Sequence, residues 1–366
     1  MENSSLIVKI WGCRGSEPTS PTISEIRHKE AELIKRIIKD GGTSRFEREG
    51  KIDNVKIERY LAGLPLSVSG TYGGATTCLE LQANDSPLII LDMGTGARRL
   101  GEDLVKRYVT NGNFNPLNGI DDNNNKLCIL LSHFHYDHTL GITSFIPLFM
   151  PTTKVEFFGQ VDVRGDNKNL KDILEGRQNY EAFPVSLYEQ PSIRDYTELK
   201  RFDTNERQIG NVSLRHGELS HPGGCLAYGA ELENKTFIFA TDTEHRDFPE
   251  PTILRLAGGG YQSGKDVTLY MDSQFTPEEF RGEPYTGKGH RFRWGHSHYE
   301  AAVKTALGAS VKTLILGHHA PERDDFGIEE MHMRALSFRD SQLKLKKNRD
   351  KNLEIVMAYS GLELRL

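Results

Sequence analysis

Seven imidazole and carboxylate side chains carry the most pointed chemistry in this chain. Four of them fall within six residues, in Ser132-His133-Phe134-His135-Tyr136-Asp137-His138, directly after an apolar run at 127–131. On an extended segment His133 and His135 can approach one ion from the same side, while Asp137 and His138 reach a neighbouring ion as the chain turns into a helix. Imidazole and carboxylate suit Zn, Mn or Fe. The competing reading, a polar surface turn, is disfavoured by four such donors at the mouth of a buried strand. Three further donors sit beside predicted strands. His221 precedes Pro222-Gly223-Gly224, Asp242 follows 236–240, and His318 follows 311–316 in Gly317-His318-His319. Each alone reads as a turn or cap residue. Together with the quartet they fill the coordination shells of two ions.

The elements that must position these donors are legible as hydrophobic periodicity. Strands are predicted at 6–11, 76–82, 87–91, 127–131, 155–158, 211–214, 225–231, 236–240, 267–271, 311–316 and 353–358. Helices are predicted at 25–39, with Ser24 as N-cap, and at 97–109, 169–174, 299–307 and 329–344. Strands and helices interleave, which predicts α/β layering with mixed sheets. No internal repeat or linker divides the chain, so one domain over 1–366 is expected, with a peripheral insertion at 24–66. The charged stretch 43–66 reads as a surface excursion, 110–126 as a polar loop, and 180–184 as a local lid or pocket wall.

Composition bounds the rest. The 366 residues carry 46 basic and 51 acidic side chains, a net charge of −5, with 37% hydrophobic and 27% charged. That is an ordinary globular balance, and it weighs against a nonspecific nucleic-acid binder. No apolar run approaches the roughly 18 residues of a membrane span, so no membrane partner is expected. The first ten residues do not read as a secretory signal, and the four cysteines show no paired spacing. A reduced, cytoplasmic setting follows as the expectation.

The quartet resembles the H-x-H-x-D-H signature of the metallo-β-lactamase fold, and the later donors fall in that superfamily's order. The chain is most similar to its phosphodiesterase branch, which includes tRNA 3′-processing ribonucleases and cyclic-nucleotide phosphodiesterases. The resemblance implies a four-layer αββα sandwich with mixed sheets and two divalent ions, zinc first, with manganese or iron as alternatives. It implies that His133, His135 and His221 hold one ion, that Asp137, His138 and His318 hold the other, and that Asp242 bridges them. Asp92, which closes 87–91 ahead of Gly94 and Gly96, resembles the aspartate that orients the ligand loop. Trp294-Gly295-His296-Ser297 resembles the branch's Gly-His-Ser/Thr segment, making His296 a phosphate ligand or general acid. Asp272, in Met271-Asp272-Ser273-Gln274, would orient it, although the ribonucleases often carry glutamate there.

The resulting expectation is a metal-dependent hydrolase that opens a small or cyclic phosphodiester, such as a cyclic nucleotide, through a metal-bridging hydroxide. A tRNA-processing activity fits less well, because acidic residues offset basic ones between 159 and 191 and no basic arm is evident. A lactone or thioester hydrolase would use the same metals without needing His296, and a noncatalytic module would be expected to lose ligands. His290, His298, Arg291 and Arg293 flank His296 and could supply positive charge for phosphate or nucleotide, with a solvated basic face the equal alternative for the two arginines. His216 and His245 read as surface residues, and His28 and His332 as helical bystanders. His319 either faces the substrate or packs. The insertion is the expected contact of a homodimer.

Overall fold

Leu6, Val8 and Ile10 are buried whereas Ile7, Lys9 and Trp11 are only partly covered, the period-two pattern of a strand with one face in the core. The computed structural model describes residues 5–47, 53–110, 126–161, 168–201, 205–245, 249–282 and 289–366. Fourteen strands are described, five of them in the N-terminal half and nine in the C-terminal half: β1 (Leu6–Gly12), β2 (Cys78–Ala83), β3 (Leu88–Leu91), β4 (Lys126–Leu130), β5 (Lys154–Gln160), β6 (Ile193–Leu199), β7 (Arg207–Ile209), β8 (Val212–Leu219), β9 (Cys225–Leu232), β10 (Lys235–Ala240), β11 (Asp266–Asp272), β12 (Thr313–Gly317), β13 (Glu354–Met357) and β14 (Glu363–Arg365).

They form two seven-stranded mixed sheets, ordered β14-β1-β2-β3-β4-β5-β6 and β13-β12-β11-β10-β9-β8-β7. Each sheet joins three antiparallel pairings to a parallel run, β3 to β6 in one and β10 to β13 in the other. Three hydrophobic clusters define the layers. The middle one packs Leu79, Leu91 and Leu130 of the first sheet against Leu226, Phe239 and Ile315 of the second. The outer clusters seat Leu100 and Leu104 of the helix Ala97–Thr110 on the first sheet, and Ile253, Ala302, Val303 and Met331 of three helices on the second. Helix, sheet, sheet, helix is the αββα sandwich that the resemblance implied.

Some elements depart from the sequence reading. Thr22, not Ser24, caps the helix Ile23–Lys39 and forms a capping box with Glu25. The segment predicted as a surface excursion contains the helices Thr43–Glu47 and Asn54–Ala62 and runs into the helix Leu66–Ser69. Strands β6, β7 and β14 and the helices Pro251–Ala257 and Pro277–Arg281 were not anticipated. The last long helix starts at Asp325, four residues before its predicted start. Most of the predicted polar loop, 111–125, lies outside the described residues. Among the described residues no helix is long and apolar enough to cross a membrane. The four cysteines are buried and unpaired.

Candidate metal centre

The topology delivers the predicted donors to one edge. His133 follows β4, His221 follows β8, Asp242 follows β10, and His318 follows β12. Strands β10, β11 and β12 run parallel, and β8 shares their direction through two antiparallel steps, so their C-terminal ends face the same way. A short helical turn, Tyr136–Thr139, carries Asp137 and His138 inward beneath His135.

Seven side chains converge there in two groups, His133 with His135, His221 and Asp242, and Asp137 with His138, His318 and Asp242. In the first group His135 Nδ1 lies 2.9 Å from His133 Nε2 and 3.1 Å from His221 Nε2. Asp242 Oδ2 is 3.6 and 3.7 Å from those same Nε2 atoms. In the second, His138 Nε2 lies 3.3 Å from His318 Nε2, 3.0 Å from Asp137 Oδ2 and 3.2 Å from Asp242 Oδ1. Donors held tetrahedrally at ~2.0–2.1 Å from one ion are separated by roughly 3.3 Å, so both groups fit a divalent cation. Asp242 offers one oxygen to each.

The outward nitrogens fix which atoms face in. His138 Nδ1 donates to Asp92 Oδ2 at 2.6 Å, and His221 Nδ1 donates to the Gly295 carbonyl at 2.8 Å. His133 Nδ1 lies 3.0 Å from Ser132 Oγ, which donates to Asp92 Oδ2 at 2.7 Å. Asp92 also accepts the Ser132 amide, so one buried carboxylate ties Ser132, His133 and His138 together. Burial, with the charge of neighbouring histidines, lowers His133 well below its usual range and His135 to about 4. Both are neutral imidazoles at neutral pH, the form that binds metal. Burial also pulls on His138 and His318, but the carboxylates around them prevail, raising His138 well above its usual range and His318 to about 8. Protons thus balance the charge of Asp137 and Asp242 where a cation would.

His296 stands beside both groups, its ring centre 5.3 Å from that of His221 and 4.9 Å from that of His318. Its Nδ1 is 2.8 Å from Asp272 Oδ2, and Asp272 is fully buried at the end of β11. The other Asp272 oxygen accepts the Gln274 amide. Glycines allow this crowding. A Cβ on Gly295 would sit 2.3 Å from His221 Nδ1, and one on Gly15 2.2 Å from His318 Nδ1. The Ser16 amide donates to Asp137 Oδ2. Ser16, Asp92 and His318 adopt left-handed backbone, with φ of 61°, 60° and 56°, a strain that settles at functional sites. Gly15 and Ser16 had been given no chemical role, because they act through a missing side chain and a backbone amide.

Other histidines are corrected or resolved. His216 and His245, expected at the surface, are buried, bonded to the Lys200 carbonyl and to Thr305 Oγ1. His298, expected to supply charge, is buried against Phe280. Arg291 stacks over Trp294. His319 packs: it is fully buried, bonded to the Ala358 carbonyl and lowered by burial to about 3. His28 meets Phe326 edge to face, and His332 bonds the Ile355 carbonyl. Tyr180 in the predicted lid is exposed.

A family model described as a β-lactamase superfamily domain matches residues 103–319, more than half of the chain. Among solved structures, the metallo-β-lactamase fold protein YhfI from Bacillus subtilis is 13% identical, with a TM-score of 0.52 over 99% of this chain and 100% of its own. Zn²⁺-bound PqqB from Methylobacterium extorquens is 10% identical, with a TM-score of 0.54 over 98% and 100%. No curated protein sequence matches significantly. The fold and the donor cluster define a metallo-β-lactamase-type sandwich. The chain belongs to the β-lactamase superfamily.

Proposed function

We propose that this protein is a dinuclear metal-dependent phosphodiesterase acting on a small or cyclic phosphodiester. The observation that carries the reading is the His296–Asp272 pair, set 2.8 Å apart beside both donor groups. Two divalent ions, zinc first by ligand type, would activate water and offset charge on the phosphoryl oxygens. Hydrolysis adds water at phosphorus and expels an alkoxide, which needs a proton. Asp272 holds His296 through Nδ1, so Nε2 is the atom that delivers that proton. Lactone or thioester hydrolysis supplies no reason for this buried pair. Four buried, unpaired thiols suit a reducing, cytoplasmic setting.

The test is turnover of bis(p-nitrophenyl) phosphate and a cyclic-nucleotide panel by protein loaded with Zn or Mn. His296→Ala and Asp272→Asn run alongside, with metal content checked by mass spectrometry. With both ions retained, His296→Ala should lose about 10²–10⁴-fold on a cyclic nucleotide. It should lose far less on the nitrophenyl ester, whose leaving group needs little help. Inactivity on every diester with two ions bound would overturn the reading and move the chemistry to esters, lactones or thioesters.

A further inference from the structure

Tyr136 sits between two donors, His135 and Asp137, at the start of a turn that buries Asp137 and His138. It is left 66% exposed. Across from it the helix Leu170–Arg177 ends with the Arg177 guanidinium over the phenol ring, 4.9 Å from its centre. The two line a cavity of about 380 Å³ that also takes in His133, His135, Ile173 and Gly223. It therefore reaches two donors of the first group, and its size falls within the range of small-molecule sites, about 300–1,000 Å³. Asp172 on the same wall is engaged in its own helix's capping box. The Gly223 position opens onto space, with nothing within 4 Å of an added Cβ.

A substituent of a molecule bound at those donors would meet a planar cation stacked on an aromatic face. Such pairs favour electron-rich planar rings, which stack on arginine as well as on tyrosine. We infer that Tyr136 and Arg177 form a specificity shelf that reads a nucleobase on the substituent the scissile phosphate retains. The inference rests on the phosphodiester reading for its chemistry, but not for its binding. Arg177 contributes a flat, delocalised surface that lysine lacks, so charge alone does not replace it.

Two esters with the same leaving group isolate the shelf: thymidine 5′-p-nitrophenyl phosphate and methyl p-nitrophenyl phosphate, assayed with zinc-loaded protein. The nucleoside ester should be preferred by about tenfold or more in kcat/KM, the scale of one base–aromatic stack. Arg177→Ala and Arg177→Lys should both bring the ratio close to unity. Calorimetry on the same proteins should show 5′-AMP binding about tenfold tighter than ribose 5-phosphate, with the difference lost in Arg177→Ala. A preference that is absent, survives Arg177→Ala, persists in Arg177→Lys, or vanishes only in Trp294→Ala would overturn the shelf while leaving the phosphodiesterase reading intact. Neither ester hydrolysed, with AMP selectivity still dependent on Arg177, would overturn that reading and leave the shelf standing.

Discussion

Asp92 and Gly295 hold the centre together without offering it a donor. Asp92 ties His138 to Ser132 and, through the serine, to His133. Asp92→Asn leaves an acceptor but removes the charge, and metal affinity should fall about 10–100-fold, measured by competition with a chromogenic chelator. Unchanged affinity would make Asp92 a packing residue only. Gly295 has φ +82° and no room for a Cβ beside His221 Nδ1 and Pro222. Gly295→Ala should displace His221 and lower occupancy of one of the two metal positions, whereas Gly223→Ala, strained only in its backbone, should retain both. The donors themselves were legible because imidazole and carboxylate recur at strand ends in the sequence. Gly15 and Ser16 read only as part of a turn after the first strand, since an amide and an absent methyl show no chemistry in residue type or spacing.

Strands buried on both faces were readable for the same reason, as with Leu88–Leu91 and Lys235–Ala240, whose side chains are almost all in the core. β6 escaped because an edge strand with Arg194, Asp195 and Glu198 between its apolar residues has no clean period. The helix Ile23–Lys39 buries no residue at all, so its placement depends on a polar anchor rather than on a hydrophobic face. Lys29 pairs with Asp325 and donates to the Gly70 carbonyl, while Asp325 also lies 3.7 Å from Arg14 and accepts the Tyr72 amide. Asp325→Ala strips the partner from two cations, one of them deeply buried, and should cost about 3 kcal/mol in a urea melt. Limited proteolysis should then cut the chain near Gly41-Gly42. A cost below about 1 kcal/mol would show the pair behaving as a surface ion pair.

At the scale of the molecule, the centre is a seam between sheets. His133 and His138 belong to loops of the first sheet, and Asp242 and His318 to loops of the second, so whatever balances their charge also joins the two halves. Without a cation, protons on His138 and His318 do this. His318 stands at about 8, pulled down by burial but carried up by Asp242 and Asp137, against an ordinary 6.5. A raised histidine gives stability that is fully present below the unfolded value and is lost as pH climbs through the folded one. The metal-free protein should therefore lose on the order of 2 kcal/mol between about pH 5.5 and pH 9 from this group alone, most of it between about pH 6.5 and pH 8. A bound cation takes over the charge balance and binds best where the imidazoles are deprotonated, so the loaded protein escapes that loss. The gap in Tm between zinc-loaded and EDTA-treated protein should accordingly widen from about pH 6 to about pH 9. A gap that stays constant would mean that protons do not stand in for the cation and that the sheets are joined by the Leu91–Phe239 core alone.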